Sequence, residues 1–403
     1  MPSGGAEARG GDAGPPGGAP GGVGEPKEGL EEWLRLARAA ERPHLGPEGW
    51  ERGGLAAGEG AARWRALRRR LQKPVPPERA AERVTVGGDG ALQAMGRCEA
   101  EGTPCVLEGG MEAGWDLESL SFSNLLGCFG AVPWRLSDVH GELLTLEEFQ
   151  EYVITTNDDA PLGIYESQFH REPTTVISDW YTCPQTPGGE PVFSPDLFAL
   201  SEGRRRPPWR WVLVGAERSG TGMHVDPLYT SAWVALAEGL KRWVMFPPST
   251  EPQQDSKGDE GPGQAPLARE GEPQLEAAHW FLQHYNTIGA PGWLGARPVE
   301  ILQRPGEVVY VPQGWHHVVV NLELSVAVTH NWASELGQFE RLCEETCREE
   351  PRFARSWVRA LGYARPDLAL RAAAVAAPDW DASHDSTSAS SASSASSASS
   401  DSA

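Results

Sequence analysis

Gly220-Thr-Gly-Met-His-Val-Asp-Pro227, read together with the distant His317, decides how this chain folds. Alternate residues of a strand point the same way, so His224 and Asp226 can converge on one ion while Val225 turns into the opposite layer. His317 lies too far along the chain for a local metal loop and has to arrive on another strand of the same sheet or barrel. A bare His-x-Asp among ten histidines is more often a solvated or hydrogen-bonded pair, so its surroundings decide the reading. Gly220 and Gly222 just ahead of it allow backbone to approach a bound molecule closely. Residues 231–236 read as a strand that turns at Glu238-Gly239 into a second strand over 241–246.

Further out, residues 299–303, 307–311, 316–321 and 325–331 are short Val-rich runs separated by Pro305-Gly306 and by Pro312 to Trp315. That pattern predicts antiparallel strands of a β-sandwich or small barrel. Parity puts His317, Val319 and Asn321 on one strand face and His316, Val318 and Val320 on the other, without saying which histidine is the ligand. Two imidazoles and one carboxylate with vacant positions form the donor set of non-haem Fe(II) oxygenases. Lys241 shares a face with Trp243 and Met245, so it either snorkels to water or pairs with an anion. Beside a metal, a dicarboxylate co-substrate is the better explanation: one carboxylate chelates the ion, the other meets Lys241, and the Thr221 hydroxyl donates to it.

Several stretches together resemble one family: Arg206-Pro-Pro-Trp-Arg-Trp211, Ser219-Gly-Thr-Gly-Met-His-Val-Asp-Pro-Leu228, Thr230-Ser-Ala-Trp233, Gly239-Leu-Lys-Arg-Trp243 with Phe246-Pro247, Pro305-Gly-Glu307, Val311-Pro312 and Gly314-Trp315. They are similar to the JmjC (jumonji) oxygenases, and within these to the arginine demethylase and lysyl hydroxylase, phosphatidylserine receptor-like, branch. The match is dense over residues 209–331 and thinner back to Pro104-Cys-Val-Leu107 and Gly114-Trp115. The resemblance implies a mainly β core, a double-stranded β-helix or cupin-like jelly roll with flanking N- and C-terminal helices. It also implies an Fe(II)- and 2-oxoglutarate-dependent dioxygenase that hydroxylates protein side chains, by lysyl hydroxylation or by removal of N-methyl groups from arginine or lysine. Carried over by position, His224, Asp226 and His317 match the iron ligands, and Lys241 and Thr221 the partners of 2-oxoglutarate. Thr329 and Asn331 match polar positions beside the co-substrate, although ordinary cross-strand hydrogen bonding would account for them equally well.

The chain departs from the family pattern at three places. Val234 stands where the family has an asparagine, Gly163 where it has a tyrosine, and His316 where it has a tryptophan. Each of the first two losses costs about 1–3 kcal/mol of binding if a buried polar partner is left unpaired. Tyr165, two residues beyond Gly163 and on the same face of a strand, is a candidate to fill the gap. A JmjC scaffold that binds basic protein segments without turnover is therefore the alternative reading. A cupin-type metalloenzyme without 2-oxoglutarate is a third, opposed by Lys241 and Thr221.

The organisation expected over 403 residues is a disordered Gly/Pro-rich segment 1–28, an N-terminal helical and mixed extension 29–173, and a JmjC catalytic domain 174–348 with a surface insertion 251–273. A C-terminal helical segment 349–380 and a Ser-rich tail 381–403 follow. Helices are expected over 31–41, 61–71, 335–348 and 351–361, and Thr145 with Glu148 predicts a capping box. C-terminal helices of related proteins self-associate, which suggests a homodimer; packing against the sheet is the alternative. A net charge of −21 disfavours nucleic acid as the main partner and suits Lys/Arg-rich protein segments, with O2 as co-substrate. The basic clusters at residues 68–70 and 204–206 read as solvated faces more readily than as a nuclear signal. Six cysteines show no metal-finger spacing or disulfide framework, and no secretory signal or membrane-spanning run is evident, so the nucleus or cytoplasm is the expected compartment.

Overall fold

The computed structural model describes residues 29–88, 90–112, 114–136, 142–201, 206–248, 275–288 and 296–375. The expected disordered start, the whole surface insertion 251–273 and the Ser-rich tail lie outside them. The strands are β1 (Glu82–Thr85), β2 (Cys105–Glu108), β3 (Pro133–Arg135), β4 (Leu143–Thr145), β5 (Gly163–Glu166), β6 (Arg210–Gly215), β7 (Gly220–His224), β8 (Ser231–Glu238), β9 (Lys241–Phe246), β10 (Val299–Gln303), β11 (Glu307–Val311), β12 (His316–Asn321) and β13 (Ser325–Trp332). The helices are α1 (Leu30–Glu41), α2 (Gly46–Gly49), α3 (Gly58–Leu71), α4 (Ala91–Glu101), α5 (Phe122–Phe129), α6 (Leu146–Thr155), α7 (Ala277–His284), α8 (Phe339–Glu349), α9 (Pro351–Ala364) and α10 (Pro366–Val375). No described helix is long and apolar enough to cross a membrane.

A seven-stranded sheet in the order β1-β2-β11-β8-β13-β6-β5 faces a four-stranded sheet in the order β10-β9-β12-β7, and β3-β4 form a separate hairpin. Every pairing is antiparallel except β1 with β2. The chain alternates between the two large sheets from β6 to β9 and again from β10 to β13. Between the sheets lie Val234, Leu236, Trp243, Met245, Val309 and Val319. Val244, Phe246, Val318 and Val320 point the other way, from the smaller sheet against Trp64 of α3 and Trp280 of α7. Each buried valine there contributes about 1.5–3 kcal/mol over the exposed state, which fixes the strand register because a one-residue slip would exchange the two faces.

Several expected elements differ in extent. The N-terminal extension does more than pack on the core: β1, β2 and β5 lengthen the larger sheet at both edges. The Thr145 capping box is present, with Glu148 N donating to Thr145 Oγ1 and Thr145 N to Glu148 Oε2. The helix expected from residue 335 begins at Phe339, because residues 335–338 form a turn in which Gly337 takes φ 76° and Gln338 N donates to Gln313 Oε1. A further helix, α10, follows Pro366, which sits at its first position where a missing N–H costs nothing.

Of the cluster at 68–70, Arg69 and Arg70 are exposed, as a solvated face requires, while the half-buried Arg68 donates from Nε to Leu322 O at 2.8 Å and pairs with Glu217. Arg206 pairs with Asp196 and lies 4.2 Å over the Trp209 ring. Arg204 and Arg205 fall outside the described residues.

Candidate metal centre

His317 and His224 are direct cross-strand partners in the pairing of β12 with β7. That pairing carries a register irregularity between His317 and Val319, so a local bulge sets the two imidazoles opposite each other with ring centroids 4.1 Å apart. Gly220 makes the approach of the strands possible. It has φ 143°, and a Cβ there would lie 2.0 Å from Val319 O. It lets the two strands close on each other, and it also lines the cavity beside the donors, where the sequence expects backbone to approach a bound molecule.

β7 ends at His224, so the expected strand does not run through Asp226. Asp226 is nevertheless extended, with φ −60° and ψ 146°, and its carboxylate returns to the same side. Asp226 Oδ1 lies 3.8 Å from His224 Nε2 and 3.9 Å from His317 Nε2, and one ligand atom from each of the three residues falls within 4.8 Å of the others. The turn that follows holds Leu228 and Tyr229 at positive φ, about 1–3 kcal/mol of strain each. Leu228 is buried with Phe339, Leu342 and Trp357, so the C-terminal helices brace the turn that aims Asp226.

The neighbouring groups orient the donors. His224 Nδ1 lies 2.8 Å from Gly222 O, and His317 Nδ1 lies 2.9 Å from Trp315 O. A carbonyl at Nδ1 requires the proton there, which leaves each Nε2 lone pair for a metal. Burial holds His317 well below the usual histidine range and so keeps it neutral, the ligating form. Burial raises the Asp226 carboxyl against the opposing pull of His224 and of a hydrogen bond from Asn331. Asp226 Oδ2 is buried and has no hydrogen-bond partner. A buried carboxylate oxygen without a donor costs about 1–3 kcal/mol or more, and a divalent cation would satisfy it. The donor set and this orphaned oxygen fit Fe(II).

The three donors open into a cavity of about 250 Å³ between the sheets, lined also by Tyr165, Thr221, Lys241, Thr329 and Asn331. Lys241 does not snorkel. It is buried, its Nζ donates to Asn321 Oδ1 at 2.6 Å, and burial pushes it down to about 8. Tyr165 Oη and Thr221 Oγ1 lie 3.2 Å apart. A Cβ at Gly163 would sit 3.3 Å from Tyr165 Cε2, so the Tyr165 ring leans across the space that a side chain at 163 would claim. Val234 lines the cavity as an apolar wall.

Thr329 and Asn331 face the cavity and also make cross-strand bonds. Thr329 Oγ1 donates to Trp233 O, and Asn331 Nδ2 donates to Thr230 Oγ1, each at 2.9 Å. Sequence reasoning placed Asn321 on the right face but gave it no role, and it missed Ser219, Trp211 and Leu213 on the wall. The row His317, Val319, Asn321 held the signal for Asn321. Trp211 and Ser219 stand at the ends of stretches that carry the resemblance, but nothing local marks them, or Leu213, as wall residues.

Residues 211–332 match the family described as "JmjC domain, hydroxylase". The chain is 37% identical over 228 residues to the bifunctional arginine demethylase and lysyl-hydroxylase psr-1 of Caenorhabditis elegans, covering 56% of this chain and 53% of that protein. It is 33% identical to the arginine-specific demethylase JMJ22 of Arabidopsis thaliana, over 59% of this chain and 43% of the other. It is 29% identical to the human 2-oxoglutarate and iron-dependent oxygenase JMJD4, over 57% and 56%. The chain thus spans about half the length of the curated relatives it matches. His224, Asp226 and His317 all lie inside the segment that matches this family.

Proposed function

We propose that this chain is an Fe(II)- and 2-oxoglutarate-dependent dioxygenase that hydroxylates protein side chains, acting on lysine or on N-methylated arginine or lysine. The alternation of β6–β9 and β10–β13 between two facing sheets supports reading the core as a double-stranded β-helix. One observation carries the functional reading: a buried, uncompensated ammonium and a three-donor metal site with an orphaned carboxylate oxygen face the same cavity. A cation without a counter-ion at one end and a metal at the other suit an acid with two carboxylates. The functions named for the relatives, arginine demethylation and lysyl hydroxylation among them, point the same way.

When bound, Fe(II) with 2-oxoglutarate and O2 supplies the oxidising power that turns a C–H bond into C–OH, with succinate and CO2 as co-products. The protein does the rest. His224, Asp226 and His317 would hold the metal. Lys241 takes the far carboxylate of 2-oxoglutarate, with Thr221 and Tyr165 beside it. Trp211, Leu213, Val234 and Val319 keep the cavity apolar and exclude water from the reacting carbon. A hydroxylated side-chain carbon is a stable product, whereas a hydroxylated N-methyl group loses formaldehyde, so one first step serves both outcomes. The net charge of −21 suits Lys/Arg-rich target segments, and α8–α10 are the surface proposed for self-association.

The test is succinate release from purified protein given Fe(II), 2-oxoglutarate, air and a Lys/Arg-rich peptide library. Release that disappears in His224→Ala supports the proposal. Peptide binding that survives His224→Ala, with no succinate from either protein, points instead to a non-catalytic scaffold, the reading motivated by Val234 and Gly163.

A further inference from the structure

Lys241 and Asn321 are cross-strand neighbours on β9 and β12, both buried and both on the cavity wall. Behind them runs a chain of side-chain hydrogen bonds with a single polarity. Ser219 Oγ donates to Ala216 O at 2.7 Å, Asn321 Nδ2 donates to Ser219 Oγ at 2.9 Å, and Lys241 Nζ donates to Asn321 Oδ1 at 2.6 Å. Because the one Ser219 proton is used on a carbonyl, its oxygen can only accept, and this turns the Asn321 amide nitrogen toward Ser219. The Asn321 oxygen is thereby aimed at the ammonium; a flipped amide would set N–H against N–H. The backbone is pinned at the same junction, with Asn321 N donating to Ser219 O and Arg218 N to Asn321 O. Gly215 leaves the room the chain needs, since a Cβ there would lie 2.3 Å from Asn321 Nδ2 and 2.6 Å from Ser219 Oγ.

Given the co-substrate reading above, we infer that Asn321, oriented by Ser219, is a positioning residue that holds Lys241 toward the far carboxylate of 2-oxoglutarate while leaving its charge intact. A neutral acceptor occupies one of three ammonium donors and cancels none of the charge. Two donors and a full positive charge remain for the ligand. A carboxylate at position 321 would fit the same space but neutralise Lys241 from within, and the cavity would no longer select a second carboxylate. Asn against Asp therefore separates a positioning role from a packing role, because both fill the site and only one preserves the free charge.

The experiment is a calorimetric titration of the Mn(II)-loaded full chain, so that no turnover is needed, with 2-oxoglutarate and with 2-oxobutyrate, which keeps the chelating end and lacks the far carboxylate. Wild type is expected to prefer 2-oxoglutarate. Asn321→Asp is expected to lose about ten- to a hundredfold of 2-oxoglutarate affinity, the factor of a charge-assisted contact, with 2-oxobutyrate affinity unchanged. Ser219→Ala, a milder change that keeps the proposal testable should Asn321→Asp fail to fold, is expected to lose about two- to tenfold with the same selectivity. A wild-type preference that survives undiminished in the folded variants overturns the role of Asn321 and Ser219 and leaves the co-substrate reading standing. A wild type with no preference for 2-oxoglutarate overturns both.

Discussion

Lys241 and Arg242 are consecutive residues of β9, both buried cations, and they sit on opposite faces of the same sheet. On the outer face the charge of Arg242 is neutralised within the fold: Nη2 contacts Glu300 Oε2 at 2.5 Å and Tyr285 Oη at 2.7 Å, and Nη1 donates to the carbonyls of Leu71 and Lys73, while Nε alone is left without a hydrogen-bond partner. Arg79 closes on the other Glu300 oxygen at 2.7 Å. On the inner face Lys241 meets a neutral amide, and burial alone pulls its proton affinity down. A buried charge neutralised within the fold is structural, and one left unneutralised in a cavity is waiting for a ligand.

Removing the partner of each cation separates the two roles. Glu300→Gln strands Arg242 in the interior and should cost about 3–5 kcal/mol, read as a lower denaturant midpoint, with the preference for 2-oxoglutarate over 2-oxobutyrate retained by the folded protein. Lys241→Met should do the reverse. Its 2-oxoglutarate affinity should fall by about 2–5 kcal/mol while the denaturant midpoint stays level or rises, since a poorly solvated ammonium has gone. A Lys241→Met protein that unfolds as readily as Glu300→Gln would erase the distinction.

A half-buried imidazole extends the contrast to pH. His279 on α7 lies between Asp159 Oδ2 at 3.2 Å and Glu276 Oε2 at 3.3 Å, and these hydrogen bonds raise it from 6.5 to about 9. The folded state keeps a proton there that the unfolded chain has already released. The stability it adds is complete below pH about 6.5 and is lost as pH rises through about 9. Lys241 has the opposite sign: its proton leaves the folded state near pH 8 and the unfolded chain near 10.5, so its share of stability rises with pH over that window. The contribution of His279 is therefore read as the difference between wild type and His279→Gln in urea midpoints at pH 6, 7.5 and 9. Equal pH slopes for the two proteins would show that the imidazolium is not clamped. The smallest expected effect is that of Tyr165→Phe, which removes the hydroxyl facing Thr221 and should weaken 2-oxoglutarate by about 0.5–1.5 kcal/mol, visible as a modest rise in Kd. No change there would return Tyr165 to a space-filling role beside Gly163.

Much of this was legible in the sequence, for physical reasons that differ from residue to residue. Strands β9, β10, β11 and β12 have the bounds that Val-rich runs between Pro and Gly turns predict, because burial on both faces leaves one register. Alternation along β12 placed His317, Val319 and Asn321 on one wall. The local pattern could not show that His317 pairs with His224 through a bulge, since that depends on where two distant strands meet. Nor could it show Asp158 and Asp159, buried acids that tie distant segments together. Asp158 accepts from Arg38 of α1 and Tyr152 of α6, and Asp159 accepts from the Gly53 and Leu55 amides. Neighbours in sequence reveal faces, whereas partners brought together by topology have to be seen.

On the proposed function, three side chains hold ferrous iron in a cavity that also takes a keto acid at Lys241. The most direct measurement is the visible absorption of the anaerobic Fe(II) protein titrated with 2-oxoglutarate. A charge-transfer band that grows to saturation in wild type, is missing in His224→Ala and needs far more 2-oxoglutarate in Lys241→Met is the predicted result. A folded, iron-loaded wild type whose spectrum does not change on adding 2-oxoglutarate would contradict it.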